Sequence, residues 1–161
     1  MSMSTEAINP AVNEVRSGTP PVIKWPVQPL KGAKIVIKNT MDIVGARENG
    51  RCLALDEGCS KTQLLFVQTI ISELSRNIIL YAGSGEIQLT ISDQNGLRCL
   101  GITAIDEGPG IPDVVAAMTS GFSTSGGLGL GLPGIRQMSN EFDITSQPET
   151  GTKITAKIWL V

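Results

Sequence analysis

The sequence predicts an α+β chain folded as a two-layer sandwich, a mixed β-sheet with helices on one face. Three observations lead there. An apolar stripe at helical spacing, Val67, Ile70, Ile71, Leu74 and Ile78, marks a long helix with one core-facing side. Residues 86–92 alternate, with Ile87, Leu89 and Ile91 on one side, and Asn95-Gly96 supplies a hairpin turn because both residues tolerate positive φ. The order of elements is strand, two helices, hairpin, two helices, hairpin, the pattern of helices segregated to one face of a sheet.

Residues 1–30 hold five of the nine prolines, Pro10, Pro20, Pro21, Pro26 and Pro29, and show no sustained period. Proline fixes φ and removes a donor, so this segment is expected to be a disordered leader preceding a single domain over 31–161. Within it Val22, Ile23 and Trp25 form either a short docking anchor or part of a leader with no role. Residues 33–38 read as a strand. Asn39 or Thr40 can cap a helix running to about Glu57, with Gly58 as its stop. Ser60 and Gln63 make a capping box for a second helix over 61–81, which Gly83 and Gly85 end. The hairpin follows, with its returning strand over 97–105. Helices are expected over 112–119 and 132–140, with Pro112 and Pro133 at first helical positions, and strands over 142–146 and 153–160.

The 161 residues carry 13 Lys+Arg against 15 Asp+Glu, a formal charge of -2, which suits one domain plus a tail. The acidic balance and only six aromatic residues argue against a nucleic-acid binder. With no histidine, a His general base, a Ser-His-Asp triad and a phosphohistidine are all excluded within this chain. Cys52, Cys59 and Cys99 have no metal spacing and read as reduced thiols of a cytosolic protein. No secretory signal or continuous apolar run of about 18 residues stands out, so no membrane span is expected.

Nine of the eighteen glycines fall within residues 101–134, more than a core needs. One cluster, Asp106-Glu-Gly-Pro-Gly-Ile111, follows an apolar strand. The other, Ser123-Thr-Ser-Gly-Gly-Leu-Gly-Leu-Gly-Leu132, precedes a helix. Glycine-rich backbone leading into a helix N-terminus offers free N–H groups and a positive dipole end to phosphate oxygens. It contains GxGxxG at Gly129, Gly131 and Gly134, but without the preceding strand that a dinucleotide fingerprint needs. A glycine loop without a ligand is the other reading. Glu73 and Asn77, four apart, share one helix face beside the apolar stripe. A carboxylate there can act as a general base, and an amide oxygen can ligate Mg²⁺. By themselves they read as a partly exposed helical pair, and the functional reading gains weight only in combination with the glycine clusters.

Taken together, Glu73-xxx-Asn77, Asp106-x-Gly-x-Gly110, Gly127-Leu-Gly-Leu-Gly131 and Gly151-Thr152 resemble the N box and G boxes of the GHKL ATPase/kinase superfamily. The finer match, over 71–83, 106–111 and 121–134, resembles bacterial serine/threonine kinases of the stressosome switch-kinase (RsbT) and anti-sigma-factor kinase type. The resemblance covers about Ala33 to Val161. It implies the Bergerat ATP-binding fold and an ATP- and Mg²⁺-dependent kinase. Asp106 would select adenine, with Gly108 and Gly110 giving close backbone approach, Ile111 packing on the base and Thr152 supporting the contact through water. Asn77 would hold Mg²⁺. Ser123, Thr124, Ser125, Gly126, Gly127, Leu128, Gly129, Leu130 and Gly131 would form the lid over the phosphates. Glu73 would be the general base.

Two departures from the family pattern stand out. Tyr81 is near the place where many relatives carry His, and residues 123–132 contain no basic residue. Arg76 is either a substitute cation at the phosphates or an ion-pair partner on the helix surface. The resemblance implies a cytoplasmic ATP:protein serine/threonine phosphotransferase with STAS-domain scaffold and antagonist partners, and a downstream phosphatase or other signalling protein. No nucleic acid or membrane is expected to take part. Two rivals remain: an anti-sigma factor that sequesters a sigma subunit and phosphorylates its antagonist, and a nucleotide-gated binding module without turnover.

Overall fold

The structure, a computed structural model, describes residues 29–119 and 131–160. The leader up to residue 28 and most of the glycine-rich lid, 120–130, therefore lie outside the described residues. The first strand begins at Pro29, so Pro29 and Leu30, expected in the leader, belong to the sheet.

Five strands, β1 (Pro29–Ile37), β2 (Gly85–Gln94), β3 (Leu97–Asp106), β4 (Glu141–Gln147) and β5 (Gly151–Leu160), form one sheet in the order β1-β2-β3-β5-β4. Each neighbouring pair is antiparallel, which corrects the mixed sheet expected from the sequence. The reason is connectivity. Between β1 and β2 stand two helices, and an even number of passes returns the chain running the opposite way. At the other edge β5 inserts between β3 and β4, separating two strands that would otherwise lie side by side and parallel.

Helix α1 (Thr40–Asp56) is capped by Asn39, whose side chain accepts from the Met41 and Asp42 N–H groups at 2.9 and 3.2 Å, while Asp42 Oδ2 accepts from the Asn39 N–H at 3.0 Å. Helix α2 (Lys61–Asn77) starts in the expected box: Ser60 Oγ accepts from the Gln63 N–H at 3.2 Å and Gln63 Oε1 from the Ser60 N–H at 3.0 Å. Gln63 also donates to the Trp159 carbonyl, tying the helix start to β5. On α1 the small residues Ala46, Gly50 and Ala54 are buried at four-residue spacing. A side chain at Gly50 would run into Ile71 Cδ1, so the stripe lets the two helices approach closely.

Beyond Asn77 the helix continues as one π-helical turn, Ile78–Ala82, where a regular helix to residue 81 was expected. Such a turn accommodates an extra residue and changes the facing of everything after it. Helix α3 is a single turn, Val114–Ala117, capped by Asp113 Oδ1 from the Ala116 N–H at 2.9 Å. Pro112 therefore precedes the cap and is not the first helical residue. Helix α4 (Gly131–Met138) places Pro133 third, still within the turn whose N–H groups have no helical partner.

The strands cross the sheet in register, so side chains line up in rows. Two rows face the helices with apolar groups: Ala33–Leu89–Ile102–Ala156–Phe142 and Ile35–Ile87–Ala104–Ile154–Ile144. Helix α2 lies over β2, β3 and β5, with α1 beside it and α4 over β4 and β5. Val67, Ile70, Ile71, Leu74 and Ile78 of its stripe are at most 1 % exposed. Burial of each contributes about 1.5–3 kcal/mol. The 22-residue stretch Lys61–Ala82 is long and apolar enough to cross a membrane by length and composition alone. Its stripe is instead the centre of this core. The opposite sheet face is polar along Lys34–Gln88–Thr103–Thr155–Asp143, so one layer of helices suffices.

Cys52, Cys59 and Cys99 are free thiols. Burial pushes the Cys99 thiol up to about 11 and raises Cys59 as well, which keeps both protonated and unreactive. At the end of the sheet where α1 finishes, Glu57 receives Lys31 of β1 at 2.8 Å and Arg98 of β3 at 3.2 Å. That leaves the other end, where β3 finishes and β5 starts, for the site.

Candidate functional site

The third helix-facing row reads Ile37–Gly85–Asp106–Thr152–Ser146. It has the same register as the apolar rows, but its last three members are polar. The residue types at this end of β3, β5 and β4 thus convert a core row into a row of hydrogen-bonding groups. Asp106 Oδ1 accepts from the Gly108 N–H at 2.9 Å, which fixes the carboxylate at the mouth of the turn. Ser146 Oγ accepts from the Ile111 N–H at 2.7 Å and lies 2.9 Å from Thr152 Oγ1. It also lies 3.3 Å from the Gly151 carbonyl.

Two glycines are required by this geometry. A Cβ at Gly108 would sit 2.6 Å from Ala82 Cβ, so only glycine lets the turn close onto the end of the π-helical segment. Gly110 has φ +77 and its missing side chain would occupy the place of the Gln147 carbonyl. Ile111, half-buried, packs against the core from the same turn.

Glu73 and Asn77 lie near the C-terminal end of α2, just before the π-helical turn. Ile78 Cγ2 lies 2.8 Å from where a Gly85 side chain would begin, so the start of the π-helical turn packs on Gly85, the neighbour of Asp106 in the third row. Ala82 against Gly108 makes the second junction. Glu73 is 2 % exposed although charged, while Asn77 is half-buried. The Glu73 carboxylate is held by Arg76 Nη1 at 2.5 Å, one turn along the same helix. Of the two alternatives for Arg76, the structure gives the ion pair, but with a buried acid and not a surface one. Tyr81 is half exposed on the π-helical turn.

The structure brings Asp106, Gly108, Gly110, Ile111 and Thr152 to one end of the sandwich, and packs the π-helical turn that follows Glu73 and Asn77 against Gly85 and Gly108. Gly131 opens α4 with φ +51. Ser123 to Leu130, expected in the lid, lie outside the described residues. Ser146 was missed in the sequence. Its signal was its place in β4, where it alternates with Phe142 and Ile144 and so must point inward.

The donor set suits adenine. A carboxylate acceptor fits an exocyclic amine and repels a carbonyl oxygen. Asn77 offers one hard oxygen, adequate for an ion that keeps waters and phosphate oxygens in its shell. Replacing Ser146 by alanine removes the partner of the Ile111 N–H and the Thr152 hydroxyl. We expect ATP affinity to fall about five- to tenfold, the scale of one lost buried hydrogen bond, with the fold retained. Calorimetric titration beside a thermal melt checks this.

Residues 62–161 match the model of a family described as histidine kinase-, DNA gyrase B- and HSP90-like ATPases. The serine/threonine-protein kinase RsbT of Bacillus subtilis is 47% identical over 124 residues, covering 77% of this chain and 93% of that protein. The anti-sigma F factor of Bacillus licheniformis is 30% identical over 99 residues, 57% of this chain and 66% of that one. Among solved structures, one of the RsbU and RsbW domains of a Mycobacterium tuberculosis protein superposes with a TM-score of 0.58 at 16% identity. It covers 82% of this chain and 33% of that chain, a likeness of fold.

Proposed function

The chain belongs to the histidine kinase-, DNA gyrase B- and HSP90-like ATPase family, and on that premise we propose that it is an ATP-dependent protein serine/threonine kinase. Its substrates, in this reading, are STAS-domain proteins of a stressosome-type bacterial partner switch. One observation carries the reading: a buried carboxylate, Glu73, stands four residues before Asn77 on a helix that runs on into the π-helical turn packed against Gly85 and Gly108, beside the paired Asp106 and Thr152. The kinase named RsbT, 47% identical, supports the choice of reaction.

Asp106 accepts from the exocyclic amine of adenine, with Thr152, held by Ser146, beside it. Asn77 would hold Mg²⁺, which supplies charge neutralisation across the triphosphate. Gly126 to Gly131 supply backbone N–H groups to the β- and γ-phosphates. A Ser or Thr hydroxyl of the partner gives its proton to a Glu73 carboxylate oxygen. The hydroxyl oxygen bonds to the γ-phosphorus as the bond from that phosphorus to its bridging oxygen breaks, and ADP leaves. Such a transfer is governed by positioning and charge more than by covalent help from the protein. The reading places the protein in the cytoplasm, with a downstream phosphatase or other signalling protein as the recipient of the switch.

The test is incubation with labelled ATP, Mg²⁺ and STAS-domain proteins, followed by mass spectrometry. Phosphate on a partner Ser or Thr is the expected result; ATP binding with no phosphate on any of them would favour the nucleotide-gated module. The 30% identity to an anti-sigma F factor favours one second reading, sequestration of a sigma subunit. Recovery of a sigma factor in a pull-down from the source cell would select it.

A further inference from the structure

Arg76 occupies an unusual position. It is the cation beside Glu73 and Asn77 on α2, and the sequence has no other Lys or Arg between Arg98 and Arg136, the span that contains the turn and the lid. Its Nη1 is 2.5 Å from Glu73 Oε1, a carboxylate whose side chain is 3 % exposed, while the Arg76 side chain is 37% exposed. One edge of the guanidinium therefore satisfies a buried acid and the rest reaches toward solvent. A carboxylate oxygen that accepts from Arg76 in this way is engaged by the guanidinium and not open to a substrate hydroxyl. The same planar fork of donors matches phosphate oxygens as well as it matches a carboxylate.

We propose that Arg76 is a positioning residue that exchanges partners, holding Glu73 in the nucleotide-free protein and passing to the phosphates of bound ATP, which frees Glu73 to take the hydroxyl proton. This deepens the kinase reading and rests on it. The exchange ties availability of the base to occupancy of the site, and it supplies the phosphate-facing cation that the lid sequence lacks.

The test is a double-mutant cycle read in binding, not turnover. Mg·ATP and adenosine are titrated calorimetrically into the full chain as wild type, Glu73→Gln, Arg76→Gln and the double variant. Freeing Arg76 by Glu73→Gln should tighten Mg·ATP about tenfold, the scale of one charge-assisted hydrogen bond no longer given up, and leave adenosine unchanged. In the Arg76→Gln background the same change should tighten Mg·ATP less than about twofold. Equal tightening in both backgrounds would mean simple relief of charge repulsion and would overturn the exchange. Because Arg76→Gln strands a buried carboxylate and can unfold the chain, a second measurement uses the wild type. In a crystal with Mg²⁺ and a non-hydrolysable ATP analogue, the guanidinium should lie on the phosphates; if it stays on Glu73 beside bound phosphates, the exchange is wrong. Wild-type protein that binds neither Mg·ATP nor adenosine defeats the kinase reading itself, whereas binding without coupling defeats only the exchange.

Discussion

Glu73→Ala should lower phosphotransfer by about 10²- to 10⁴-fold, the range over which a positioned general base acts, while ATP binding persists. On the proposed kinase reading the substitution removes the proton acceptor and leaves Asp106, Thr152 and Asn77 untouched. It also leaves Arg76 without its partner, but a side chain 37% exposed can be rehydrated, so little stability should be lost. Rapid-quench measurement of labelled phosphate on the partner protein, beside calorimetric ATP binding, separates chemistry from affinity. Wild-type transfer rates in Glu73→Ala would remove Glu73 from the chemistry and leave the buried Glu73–Arg76 pair a purely architectural feature.

Asp106→Asn should act the other way, on binding. The amide keeps the shape of the carboxylate, and its oxygen can still accept from the Gly108 N–H, an interaction of 2.9 Å in the wild type. That choice turns the amide NH₂ toward the adenine amine, donor against donor. Losing a charge-assisted hydrogen bond and creating a buried mismatch costs about 3 kcal/mol, roughly a hundredfold in ATP affinity. The loss should exceed that of Ser146→Ala, which touches the adenine contact only through Thr152 and Ile111. A fluorescent-nucleotide displacement assay with ATP as competitor measures it. Unchanged ATP affinity would show that Asp106 does not read the base.

The parts of this molecule that could be read in the sequence are those encoded locally. The capping box at Ser60 and Gln63, the stripe from Val67 to Ile78 and the Asn95-Gly96 turn need only near neighbours, and all three occur. The order of the sheet is not local. Nothing between Asp106 and Glu141 states that β5 will slide between β3 and β4, because that choice is made by packing against α2 and α4. The π-helical turn after Asn77 escaped because the sequence there continues to favour helix, while the turn ends where Ala82 meets Gly108, a residue far off in the chain. Helix α3 starts later than expected because Asp113 caps it, accepting from the Ala116 N–H, so that Pro112 stands before the cap. Of the site, the motif residues were identifiable from residue types in sequence order. The Arg76–Glu73 pair was visible only as an option, since charges three apart on a helix usually meet in solvent. Ser146 could have been found from its alternation with Phe142 and Ile144, but no motif pointed to it.

Ile37, Gly85, Asp106, Thr152 and Ser146 obey the same strand alignment as the two apolar rows beside them. A slip of β3 or β5 by one position would turn every side chain on that strand to the wrong face. Leucines and isoleucines would then meet water in the same event that scattered the recognition groups. The alignment that seals the apolar interior is therefore the same one that assembles the polar row, and neither can be lost without the other.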